Sequence, residues 1–152
     1  MNRGYVAALL GAVVLSVAAL AAHQQSGQAK AKQPAAAQSP GDGWTLPPEA
    51  EGTKNPLPVD AKLVATGKSL FKEKCQRCHG PGGLGDGPDA DPDFQEDMDL
   101  TNPRHAARNT DGIVFYKLWN GRRKPKMPAF REQLTKEQAW AIVSYVQTLR
   151  RK

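Results

Sequence analysis

A chain of 152 residues with a formal net charge of +6 and only two cysteines has room for one small domain and excludes a disulfide-stapled scaffold. Both cysteines lie in one short motif, which leaves no second pair to complete a four-ligand zinc site.

The N-terminus, Met1-Asn2-Arg3, is followed by an uncharged apolar stretch over residues 5–22. A short basic region, an apolar run and small residues together have the form of an export signal. Residues 1–22 are therefore read as such a signal, cleaved after Ala19-Leu20-Ala21, or as an uncleaved anchor in the membrane. Residues 23–58 read as a linker. Its first part is mostly Gln, Ala, Ser, Pro, Gly and Lys without apolar periodicity, a composition that cannot bury enough surface to fold. Over residues 44–58, Pro47-Pro48, Pro56 and Pro58 oppose a helix and favour an extended piece along the domain surface. The folded unit is expected to start near Val59 and to occupy residues 59–152, a length whose apolar core is thin without added support.

Asp60 suits a helix N-cap, and Leu63, Gly67, Leu70 and Phe71 share one face of the helix that follows, leading into Cys75. There stands Cys75-Gln76-Arg77-Cys78-His79. Thiols at this spacing can each close a thioether to one vinyl group of a single haem, while the adjoining imidazole ligates the iron. A bare Cys-x-x-Cys would equally suit a redox dithiol or half a zinc site; the histidine favours haem. Covalent attachment of haem c occurs, in bacteria, on the far side of the inner membrane, which agrees with an export signal and a periplasmic location. The buried haem would also supply the missing core.

Between Gly80 and Asn109 no periodicity survives. Thr110 can cap a second helix, which offers Ile113, Phe115, Tyr116, Leu118 and Trp119 for burial and stops at Asn120-Gly121. Thr135 and Gln138 form a capping box, and Ala141, Ile142, Tyr145, Val146 and Leu149 make the stripe of a last helix that ends in Arg150, Arg151 and Lys152. No strand is expected. The fold class is all-α, with about three to four helices and long irregular loops around one haem.

These elements resemble the class I cytochrome c family over residues 59–149. The match is carried by Gly67-x-x-x-Phe71-x-x-x-Cys75 running into the Cys-x-x-Cys-His motif, by Asp99-Leu100-Thr101 ahead of a helix ending in Asn120-Gly121, and by Met127-Pro128-Ala129-Phe130 ahead of Ile142-Val143-Ser144-Tyr145. The resemblance implies that the first and last helices cross, with Gly67 and Phe71 meeting Ile142 and Tyr145. Relatives often accept the hydrogen bond of the haem histidine on a proline carbonyl just before the Asp-Leu-Thr element. Here Glu96-Asp97-Met98 stands there, which leaves Pro88 and Pro92 as candidates.

With His79 on one side of the iron, the sixth ligand decides between electron transfer and catalysis. The candidates are Met127, Met98, His105 and Lys126. Met127 is favoured, because flanking Pro125 and Pro128 restrict the loop that would present it. A thioether raises the potential and closes the iron to small molecules, so the expected function is single-electron carriage rather than an enzyme's. Arg104 or Trp119 could meet the haem propionates, with Trp119 equally suited to the core.

Residues 86–99 hold seven acidic residues and no basic one, whereas residues 104–131 hold eight basic residues against Asp111 alone. Asp89, Asp91 and Asp93 mimic the start of a calcium loop, but Phe94 replaces its turn glycine and Leu100 its closing glutamate, so a solvated loop is expected. Arg122, Arg123, Lys124 and Lys126 adjoin Met127 and are expected to rim the haem edge, steering acidic redox partners; nucleic acid is not expected of an exported chain. A free or tethered carrier and a cytochrome subunit of a larger oxidoreductase or respiratory complex both fit, and a haem sensor would need an exchangeable ligand.

Overall fold

The computed structural model describes residues 43–150. The expected signal or anchor over residues 1–22 and the low-complexity stretch that follows lie outside the described residues. Among those described there are six α-helices: α1 (Ala61–Lys74), α2 (Gln76–His79), α3 (Gln95–Met98), α4 (Pro103–Arg108), α5 (Asp111–Asn120) and α6 (Lys136–Thr148). No strand is present among them, only isolated bridges pairing Leu84 with Asp99 and Arg122 with Met127.

The long helices start and pack as their sequences dictate. Asp60 caps α1 by accepting from the Leu63 N–H at 2.7 Å. The capping box of α6 closes both ways, at 2.9 Å from Thr135 N–H to Gln138 Oε1 and 3.2 Å from Gln138 N–H to Thr135 Oγ1. Helices α1 and α6 form the main packing pair. Their crossing needs Gly67, since a Cβ there would stand 1.9 Å from the Ala141 carbonyl oxygen and 3.0 Å from Tyr145 Cβ. One turn on, Phe71 meets Tyr145 edge to face at 5.3 Å between ring centres. Helix α5 closes the core from the side, with Phe115 stacked on Trp119 at 5.5 Å and on Trp140 at 4.3 Å.

Three short helices were not expected. Helix α2 is the motif itself, and α3 and α4 lie where no periodicity was legible, because helices of four to six residues are too short to display one. Local caps hold them: Asn102 accepts from the Arg104 N–H at 3.0 Å, and Pro103 opens α4. Thr110 precedes α5, yet its hydroxyl donates to the Glu51 carbonyl at 2.9 Å instead of capping the helix.

That bond belongs to a seam along residues 44–58. Trp44 and Ala50 are buried, and Asn55 donates to Ser144 Oγ on α6 at 2.9 Å. Pro48 opens a short 3-10 turn, Pro48–Ala50, within a segment expected to be extended. Packing on the helices therefore begins at Trp44 rather than near Val59, since apolar anchors embedded in a proline-rich stretch leave no periodic trace.

Replacing Gly67 with Ala should destabilise the protein by about 1–3 kcal/mol, the usual cost of overpacking a tight contact. Thermal unfolding measures it; a melting temperature equal to that of the parent would mean that the crossing tolerates a side chain.

Candidate functional site

The crossing of α1 and α6 leaves a cavity of about 290 Å³ between the end of α1, the loop after α3, α5 and the C-terminal half of α6. Phe71, Leu100, Val114, Leu118, Ile142 and Val146 supply apolar wall. Cys75 and His79 line it from one side, and Met127 also faces it.

The position of His79 follows from the local backbone. Phe71 O accepts from Cys75 N–H at 2.8 Å, and Cys75 O accepts from His79 N–H at 3.0 Å, so α1 passes almost without break into the turn of α2. The ring then sits 6.4 Å from that of Phe71. Its Nδ1 lies 2.8 Å from the Met98 carbonyl oxygen. A carbonyl can only accept, so Nδ1 carries the proton and Nε2 keeps a lone pair for a metal. The acceptor is thus Met98, and neither Pro88 nor Pro92. Burial holds the imidazole below its ordinary pKa, Arg122 acts in the same direction, and the Met98 bond acts against them.

Burial, with the neighbouring Cys78 second, pushes the Cys75 thiol up to about 12. That is the reverse of an activated redox dithiol, whose attacking sulfur needs a lowered pKa. Cys78 is half-buried on the same turn, outside the cavity lining.

Met127 is presented by a closed loop. Arg122 N–H donates to Met127 O at 2.9 Å and Met127 N–H donates to Arg122 O at 3.0 Å. Gly121, at φ +63°, turns the chain into this loop, and a Cβ there would meet the Met127 carbonyl oxygen at 2.4 Å. Among the other candidate ligands, His105 lines the cavity from α4. Met98 offers its carbonyl but does not line the cavity, and Lys126 is exposed outside it.

The candidate propionate contacts fall elsewhere. Arg104 is exposed on α4 and Trp119 is core, stacked on Phe115; neither lines the cavity. Polar groups that do are Arg108, Asn109, Lys117, Arg122 and Arg150, together with His105 and the carboxylates of Asp97 and Asp99. Lys117 Nζ donates to Asn109 Oδ1 at 2.9 Å, and the Arg150 guanidinium donates to the Asn109 carbonyl. Arg150 was expected only to complement the end of α6, because a sequence cannot show that this end returns to the cavity. Arg122 departs from the expected basic rim: its side chain is 7% exposed, while Arg123, Lys124 and Lys126 are exposed. The Asp-rich loop has its own partners, with Arg77 donating to both oxygens of Asp89 at 2.5 and 2.8 Å and Asp91 accepting from Asp93 N–H at 3.1 Å.

Apolar walls, a histidine with a free Nε2, two thiols beside it and a cluster of cations suit an amphipathic macrocycle with an iron centre and acidic side arms. The family model for cytochrome c matches residues 64–150, more than half of the chain. The chain belongs to the cytochrome c family, whose domain binds haem c covalently and carries electrons. Among solved structures, it resembles a chain of the Kuenenia stuttgartiensis reducing HAO-like protein complex Kustc0457/Kustc0458, with 28% identity and a TM-score of 0.56 over 65% of this chain. It spans 50% of the length of that chain. The KustC0563 c-type cytochrome matches at 25% identity and a TM-score of 0.46, over 56% of this chain and 98% of that one. No curated protein matches the chain significantly.

Removing a cation beside the haem should favour the ferric state, whose charge is more positive. Arg150→Ala is expected to lower the reduction potential by on the order of 50 mV, and exposed Arg104→Ala to leave it unchanged. Potentiometric titration of both holo-proteins checks the contrast.

Proposed function

We propose that this chain is a periplasmic single-electron carrier whose one haem is attached through Cys75 and Cys78 and held at the iron by His79 and Met127. The observation that carries the reading is that a histidine with its Nδ1–H already engaged by Met98 and a loop-held methionine line one cavity. When bound, the haem supplies the one-electron couple. The chain's own residues do the rest. The Met98 carbonyl fixes the His79 ring and its tautomer, the apolar walls exclude water, and Arg108, Asn109 and Arg150 provide donors for carboxylates. With both axial positions taken, small molecules have no iron site, which supports a carrier rather than an enzyme.

Export is part of the proposal. The basic start and apolar run of residues 1–22 favour a soluble periplasmic protein after cleavage or one anchored through residues 5–22. A second reading, a cytochrome subunit of a larger oxidoreductase, is favoured by the likeness to a chain of a multi-protein complex. Under either reading the partner is a redox protein, and the exposed Arg123, Lys124 and Lys126 beside Met127 suit an acidic docking face.

Replacing Met127 with Ala should abolish the sulfur-to-iron charge-transfer band. It should also lower the potential by on the order of 0.2 V, within the ~0.8 V that axial ligands span. Met98→Ala, which keeps the carbonyl that His79 uses, should leave both nearly intact; the reverse pattern would exclude Met127. Reversing Arg123, Lys124 and Lys126 to Glu should slow electron exchange with an acidic partner at low salt and remove the decline of its rate with ionic strength. Stopped-flow rates across a salt series measure this, and unchanged rates in a spectrally intact variant would move the docking face elsewhere.

A further inference from the structure

Residues 44–58 lie before the stretch that the cytochrome c family model covers, yet Trp44 and Leu46 line the cavity. Trp44 is 7% exposed. Two cations lie over its ring, with Arg122 Cζ 4.6 Å and Lys117 Nζ 5.0 Å from the ring centre. Arg122 in turn touches both sides of the site. Its backbone forms the reciprocal hydrogen-bond pair with Met127, its Nε donates to Pro125 O at 3.0 Å within the same loop, and its guanidinium lies 3.6 Å from Asp97. Asp97 directly precedes Met98, whose carbonyl accepts from His79.

We infer that Trp44 is a positioning residue, and that residues 44–58 form a strap by which it clamps Arg122 and so holds the Met127 loop closed over the haem. The inference rests on Met127 being the sixth ligand. An aromatic face attracts a guanidinium most strongly where both are withdrawn from water, as they are here. With the ring in place, Arg122 keeps one orientation, and its contacts tie the methionine loop to the loop that orients the histidine. Without it, Arg122 loses that restraint and the loop opens more often. A desolvated cation–π contact corresponds to about thirtyfold in such an opening equilibrium.

The test uses the ferrous holo-protein and the uptake of carbon monoxide, which requires the methionine to leave. Trp44→Ala is expected to take up carbon monoxide about thirtyfold faster than the parent, with a weakened sulfur-to-iron band in the ferric form. Two further variants separate a clamp from a simple cover and stand in if Trp44→Ala does not assemble with haem. Trp44→Phe keeps an aromatic face and should stay close to the parent, whereas Trp44→Leu keeps an apolar cover without that face and should resemble Trp44→Ala. Parent-like uptake and band in Trp44→Leu would overturn the clamp. So would equal acceleration in Trp44→Leu and Trp44→Phe, since the aromatic face would then not matter. A parent protein that lacks the sulfur-to-iron band would instead remove the Met127 assignment itself, which keeps the two failures apart.

Discussion

The crossing of α1 over α6 at Gly67 is the constraint on which the site depends. Because the two backbones approach closely there, the end of α1 is carried past α6 at a fixed angle, and Phe71, Cys75 and His79 are delivered to one wall of the cavity. Ile142 and Val146 on α6 and Arg150 just beyond its end reach the same cavity. The thiols and the imidazole need no further machinery to be aimed, since a continuous run of backbone hydrogen bonds from Phe71 to His79 sets them. The stacked rings of α5 and α6 brace the crossing from behind, with Phe115 against Trp140.

On that frame two loops complete the chemistry, and both are locked by backbone atoms. Met98 acts through its carbonyl, which no side-chain substitution at that position removes, and so the orientation of His79 is robust to sequence change there. Met127 is fixed by its backbone pairing with Arg122, and Phe130 anchors the far end of the loop by donating to Leu118 O on α5 at 3.1 Å. Arg122 stands between the loops. Its burial separates it from Arg123, Lys124 and Lys126, which remain available to solvent and to partners. One short basic run thus divides into an internal brace and an external charge patch.

What could be read from the sequence were the features that local chemistry dictates. The Cys75 to His79 motif, the Asp60 cap, the Thr135 capping box and the apolar faces of α1 and α6 each reveal themselves within a few residues, and the first and last long helices and the cytochrome c family followed from them. The contacts of residues 44–58 did not, because Trp44, Ala50 and Asn55 are isolated anchors whose partners lie far along the chain. The His79 acceptor was hidden for a related reason: a backbone carbonyl has no signature in the residue type that carries it. Arg104, an expected propionate contact, stays outside the cavity on α4, whereas the return of α6 brings Arg150 to it, a proximity that the sequence does not display.

The central claim is that Met127 and His79 hold one iron between them, and nuclear magnetic resonance of the ferrous holo-protein with labelled methionine methyl groups tests it most directly. A ligating methyl lies over the haem face, where the ring current displaces its resonance far upfield. One such displaced methyl, with through-space contacts to the neighbours of Met127, is the predicted result. A Met127 methyl at an ordinary position, with the displaced signal belonging to Met98 or absent, would contradict the account.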